Sequence, residues 1–302
     1  MSESSSAQSW VRSMPMVFVL IWSTGFIVAR YGMPHAPPFS FLLVRYLLSI
    51  LCFLPWIVWS GVKWPSGRRQ WLHLAVTGCL MHAGYLGGVW AAVKAGMGSG
   101  LSALIVGVQP VLTALWLSWS QRHGATEGIT ARQWKGLVLG LAGLLLVVWN
   151  KLITGTPLDH VTPGNLAWAL EALLAITVGT LYQKRFVKPC DVRTANSVQL
   201  MAAALVTVPL AWLEPEAMRW NLELAGAMAW SVLGLTLGGS SLLYLLIQRG
   251  AAASVTSLMY LVPPTTAAIA WLLFGESITF TTVAGTVLTA LGVSLVIRPA
   301  HR

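Results

Sequence analysis

EGITARQWKGLVLGLAGLLLVVW (127–149) and ESITFTTVAGTVLTALGVSLVIR (276–298) read as one passage written twice. At a constant spacing of 149 residues Glu127 meets Glu276, Thr130 meets Thr279, Gly136 meets Gly285, Leu139 meets Leu288 and Gly143 meets Gly292. Upstream the correspondence continues with small shifts, Pro110 matching Pro263 and Gly87-Gly88 matching Gly238-Gly239. The shifts fall in connections, where insertions are tolerated. The chain is therefore expected to be two related halves. Thr130 is placed to N-cap a helix, with Gln133 three residues on to complete a capping box, and Thr279 can cap the counterpart. Helix capping is the plain reading of the Glu and Thr side chains; the repeat as a whole carries the information.

Composition says where such halves can live. Of the 302 residues 56% are hydrophobic and 9% charged, with mean hydropathy +0.71. A soluble domain carries about 25% charged residues. This chain lacks the residues for a polar shell, so its apolar surface must face lipid. Apolar runs cover about 14–31, 39–59, 71–93, 98–118, 133–150, 163–183, 196–213, 226–247, 253–274 and 280–297. At about 20 residues per span there is room for ten transmembrane helices and no separate soluble domain. Each run must be helical in lipid, where unpaired backbone groups are too costly. Pro55, Pro110, Pro209, Pro263 and Pro264 lie inside runs, as membrane helices tolerate.

The net charge of +10 would suggest nucleic acid for a soluble protein. Here the basic residues sit in short connections, and membrane orientation is the better reading, so no nucleic-acid partner is expected. With the N-terminus cytoplasmic, fourteen of the nineteen Lys and Arg fall inside and four outside, Arg45 alone lying within a span. The positive-inside rule then puts both termini in the cytoplasm. Cys52, Cys79 and Cys190 form no CxxC pair, and neither a zinc site nor a disulfide framework is expected. Arg12 and the apolar run after it mimic a signal peptide, but no A-x-A-like site follows, so the run is expected to remain as the first helix.

The expected organisation is a cytoplasmic tail at 1–13, a five-helix repeat at 14–150, a second at 151–298 and a tail at 299–302. Five is odd, so the second half enters the membrane from the opposite side. Inverted repeats of this kind are a recurrent design of secondary transporters, with alternating access between two related halves.

A proline-bearing helix, then E-x-I-T, then a Gly-spaced helix, twice in a chain of this length, resembles the EamA group of the drug/metabolite transporter superfamily. LIWSTGFIVAR (20–30) looks like that group's first helix with its W-[GS]-[ST] motif. The resemblance covers nearly the whole chain and is looser around Glu127, where four residues are inserted. The many tryptophans and the WST start are most similar to the YddG-type exporters of aromatic and other neutral amino acids. The resemblance implies an exporter in the bacterial inner membrane with a central cavity lined by helices 1, 3, 4, 6, 8 and 9.

Polar groups at membrane depth are costly and are functional candidates by default. His82 lies mid-span in LMHAGYLGGVW, with Tyr85 along the same face. A neutral imidazole offers one donor and one acceptor, suited to an amino or carboxylate group, although a bond to a neighbouring carbonyl would equally explain it. Gln109 precedes Pro110, whose ring disturbs the carbonyl of Val106, and Pro263 occupies the matching place near Met259 and Tyr260. Glu171 is the acid set deepest in a span. It could meet a substrate ammonium, take up a proton, or pair with Arg45. Trp22 and Trp168 are aromatic candidates for substrate contact, against the commoner role of packing or facing lipid. Pro110, Pro263, Gly87, Gly88, Gly238 and Gly239 are the candidate kinks and hinges.

No catalytic residue, metal or cofactor is expected; proton coupling is left open, with Glu171 the group that would take up the proton. GMGSG (96–100) has no preceding strand and no following Lys of a phosphate loop. The dispersed His and acidic residues, with no HExxH, argue against an enzyme. A transporter of neutral, above all aromatic, amino acids is the leading expectation. A carrier of a nucleotide sugar, a purine or a cationic drug is the alternative; the oligomeric state is left open, a monomer being plausible.

Overall fold

The computed structural model describes residues 2–113, 116, 131–154, 160–248 and 261–297. Among these the chain is helical throughout, with no strand. The helices are α1 Ser2–Gly32, α2 Pro38–Ser60, α3 Arg68–Lys94, α4 Ser99–Thr113, α5 Ala131–Thr154, α6 Pro163–Phe186, α7 Val192–Trp212, then α8, α9 Val262–Phe274 and α10 Phe280–Ile297. Helix α8 joins Leu222–Trp230, a π-helical run Ser231–Ser240 and Ser241–Gln248. Five helices are long and apolar enough to cross a membrane (α2, α3, α6, α7, α8), and five described segments are shorter apolar helices. Helix α1 extends back to Ser2, into residues expected to form a tail. Thr130, Gln133's side chain and Glu127 lie outside the described residues, as do Met259 and Tyr260.

The outward surface fits a lipid solvent. Trp59, Trp212, Leu222 and Phe280 are almost fully exposed, which water would penalise and a bilayer does not. Inside, Trp90 stacks on Phe41 at 4.4 Å between ring centroids, and both are fully buried. Small residues let backbones meet. The repeated glycines of the opening passage are such a seam. A Cβ on Gly143 would lie 2.5 Å from the Gly285 carbonyl oxygen, and one on Gly292 would lie 2.5 Å from that of Gly136, so α5 and α10 lie backbone to backbone. The expected cap of α10 is present, Thr279 Oγ1 accepting from the Thr282 N–H at 3.2 Å. Thr279→Ala should cost ~1 kcal/mol, the usual worth of such a cap, read as a small fall in Tm of the purified protein.

Two helices depart from regular α geometry at matching places. In α3 the run Cys79–Gly84 is π-helical, and in α8 the run Ser231–Ser240 is. At the spacing that matches Gly87-Gly88 to Gly238-Gly239, the run in α3 falls on residues 230–235, overlapping the first half of the longer run in α8. π turns widen the helix and disturb its bond ladder, and they recur at functional sites. Consecutive residues of α2 attend to both. Tyr46 Oη donates to the His82 carbonyl at 2.7 Å, and Arg45 Nε donates to Thr236 Oγ1 at 3.0 Å. Thr236 in turn donates to the Ser231 carbonyl.

Candidate functional site

Between the two π segments lies a cavity with about 700 Å³ of space free of atoms, mouth included. Its wall is aromatic on one side, where Trp22 of α1 and Tyr85 of α3 stack nearly parallel at 6.3 Å and Phe26 and Trp90 continue the surface. Polar groups face it from α2, α3, α6 and α7: Arg45, His82, Gln183, Asn196 and Gln199. Arg45, His82, Asn196 and Gln199 are all buried. The WST motif shows why Trp22 points here. Ser23 bonds back to the Val19 carbonyl, its own carbonyl accepts from Thr266 of α9, and Thr24 accepts from the Trp230 indole. With Ser23 and Thr24 tied to α9 and α8, Trp22 is left to the cavity.

Of the expected site residues, Trp22, His82 and Tyr85 come together in this cavity. Gln109 and Pro110 line a smaller neighbouring pocket of about 280 Å³ that shares Trp22 and Phe26. There Gln109 Nε2 donates to Thr180 Oγ1 at 3.0 Å and ties α4 to α6. Helix α4 is interrupted at Gly107-Val108, ahead of Pro110. Gly107 admits the Pro263 ring there, a Cβ on Gly107 lying 2.7 Å from Pro263 Cγ. Trp168 and Glu171 are not on the cavity wall. Glu171 is exposed and lies against Gly84 and Gly88 of α3, and Trp168 meets Phe39 edge-on at 6.1 Å. Gly87 packs on Phe39, Gly88 on the Trp168 carbonyl, and Gly238 and Gly239 on Ile21, all at helix crossings.

The lining differs from helices 1, 3, 4, 6, 8 and 9. Among the described residues it comes from α1, α2, α3, α6, α7 and α8, because the close approach of Gly107 and Pro263 packs α4 against α9 beside the cavity. Arg45 does not pair with Glu171. Its Nε bonds Thr236, and no carboxylate among the described residues forms an ion pair with it. Asn196 and Gln199 were missed. Their segment TANSVQLM reads as the polar start of a span.

At one end of the bundle the connections are tied together. Glu214 accepts from the N–H groups of Phe39 and Ser40, both at 2.8 Å, at the start of α2. Lys94 reaches Glu216 at 2.6 Å, and His35 reaches Glu223 at 2.7 Å. The hydrogen bond from Lys94 holds the Glu216 carboxyl below the usual carboxylate range. Glu276, following the turn at Gly275 (φ 64°), accepts from Ser99 N–H, Ser99 Oγ and Gly100 N–H at 2.9, 3.0 and 3.3 Å. Its carboxylate thus caps α4 from the other half of the chain. The exposed Lys94–Glu216 pair is worth little: Lys94→Gln should lower stability by less than ~1 kcal/mol, and salt should erase the difference.

A bundle of apolar helices around a buried cavity, aromatic on one side and polar on the other, has the form that a membrane carrier of small solutes requires. The chain belongs to the EamA-like transporter family, whose model matches residues 10–149 and 165–298. It is 26% identical over 264 residues to an Escherichia coli protein named "Uncharacterized inner membrane transporter YedA", covering 86% of this chain and 81% of that one. It is 25% identical over 288 residues to an "Uncharacterized transporter" of Archaeoglobus fulgidus, covering 94% and 96%. It is also 23% identical over 300 residues to a Salmonella typhimurium "Probable amino-acid metabolite efflux pump", covering 92% of each chain. A solved crystal structure shares the fold at a TM-score of 0.66 and 17% identity, covering 94% of this chain and 95% of that one. The protein is a multi-pass membrane transporter of the drug/metabolite transporter superfamily.

Proposed function

We propose that the protein exports neutral, above all aromatic, amino acids or related metabolites across a bacterial inner membrane, in the manner of the YddG-type exporters. The observation that carries this reading is the two-sided cavity. The Trp22–Tyr85 stack offers a flat apolar surface to an aromatic body, and Arg45, His82, Asn196 and Gln199 offer hydrogen bonds to its polar end. The name of the Salmonella relative supports the solute class.

On this reading the chain makes ten spans as two inverted five-helix halves, 14–150 and 151–298, with both termini cytoplasmic. Alternating access exchanges the conformations of the two halves. The overlap of the π segments in α3 and α8 at the repeat spacing supports the twofold relation, and the tied loops lie at the periplasmic end. Helix α4 bends at Gly107–Pro110. No cofactor is needed, and a proton gradient is the proposed driving force, with Glu171 the carboxylate to test by Glu171→Gln.

The experiment is competition. Uptake of labelled phenylalanine into proteoliposomes is challenged with tryptophan, a nucleotide sugar, a purine and a cationic drug. Tryptophan should compete, and His82→Ala should weaken uptake severalfold while leaving the protein folded. Competition by one of the other classes alone would reassign the cargo.

A further inference from the structure

Six buried side-chain atoms among the described residues lack a hydrogen-bond partner: Arg45 Nη1, Gln199 Nε2 and the hydroxyls of Ser49, Ser102, Thr207 and Ser231. They sort by place and chemistry. A hydroxyl can donate or accept and rotates to suit its surroundings. None of these four lines the central cavity. The other two atoms can only donate, and both residues line it. Arg45 and Gln199 are each 3% exposed. Two unused donors, one on a permanent cation, thus belong to residues that line one cavity from α2 and α7.

A buried guanidinium with no carboxylate beside it is costly and is retained where something else supplies the charge. Its Nε is already spent on Thr236, which fixes the plane of the group and leaves Nη1 without a partner. A guanidinium matches a carboxylate in shape and charge better than any other side chain does. A purely cationic cargo would be repelled here. A cargo without an anionic group would leave the charge unanswered.

We propose that Arg45 and Gln199 bind the carboxylate of the carried solute, so that the cargo is an organic acid or zwitterion whose apolar body lies along Trp22 and Tyr85. This deepens the reading of the cavity as the solute site and rests on it. It adds that the anionic group is obligatory, whereas an ammonium is not.

The test uses the full-length purified protein and thermal unfolding with five matched probes: phenylalanine, phenylalaninamide, 3-phenylpropionate, 3-phenylpropan-1-ol and phenyl phosphate. Phenylalanine and 3-phenylpropionate should raise Tm, with half-saturating concentrations at least about tenfold below those of the amide and the alcohol. Arg45→Gln should abolish that preference, Arg45→Lys should keep part of it, and Gln199→Leu should weaken it. The Lys variant covers the case in which the Gln variant does not fold. If 3-phenylpropionate acts and phenylalanine does not, the amino-acid reading falls and the carboxylate site stands. If phenylalanine and its amide act equally, or the preference survives in Arg45→Gln, the site is overturned. Stabilisation by phenyl phosphate alone, or by none of the five, also overturns it.

Discussion

Gly78→Leu is expected to be the most damaging single substitution outside the cavity, costing more than about 3 kcal/mol, beyond the usual 1–3 for overpacking. At this point α3 crosses α7 with no room for a side chain. A Cβ on Gly78 would meet the Gln199 carbonyl oxygen, lie 2.5 Å from its Cα and 2.7 Å from its carbonyl carbon. These are backbone atoms inside a helix and cannot rotate away. The helices must separate, and the neighbours move with them, since Cys79 begins the π segment that carries His82 and Gln199 faces the cavity. The measurement is the yield and Tm of the variant beside Gly226→Ala. A Cβ on Gly226, in α8, meets nothing within 4 Å, so that change should be neutral or stabilise by up to ~1 kcal/mol through helix propensity. Equal behaviour of the two variants would show that the α3–α7 crossing is looser than described.

The second large effect is expected at Glu276. Its carboxylate is 8% exposed and accepts three hydrogen bonds, all from Ser99 and Gly100 at the N-terminus of α4. Two of them come from N–H groups with no partner inside the helix, where a negative charge also meets the positive end of the helix dipole. Glu276→Ala should cost about 3 kcal/mol, because hydrogen bonds to a charged acceptor are worth 1.5–3 each and orphaned donors add their desolvation. Glu276→Gln keeps one amide oxygen as acceptor and should lose about half as much. Thermal unfolding of both variants reads the order, and transport should fall with it, since the bond joins the two halves of the chain. If Ala and Gln variants both match the wild type, the cap contributes nothing.

These two sites show what sequence can and cannot reveal. The repeat placed Glu276 and Thr279 together, and capping was the natural reading of both. Thr279 does cap its own helix. Glu276 caps a helix some 180 residues away, which no local pattern encodes. Helices were legible because lipid demands long apolar runs, and Trp22, His82 and Tyr85 could be picked out as polar or aromatic groups at depth or in a motif. Depth along a helix is readable, but rotation about it depends on neighbours. Glu171 lies well inside α6, yet its carboxylate packs on Gly84 and Gly88 of α3 and not on the cavity wall. Asn196 and Gln199 lie nearer the end of α7 and looked interfacial, yet they face the cavity. Arg45 stood out as the one cation within a span, and only the packing shows that no acid among the described residues pairs with it.

The most direct test of the account is uptake of labelled phenylalanine and tryptophan into liposomes carrying the purified protein, with and without an imposed proton gradient. The account predicts saturable uptake above that of empty liposomes, inhibited by the other aromatic amino acid and accelerated by the gradient. Folded protein that moves neither amino acid faster than empty liposomes would contradict the claim that the cavity between α1, α3 and α8 carries aromatic amino acids.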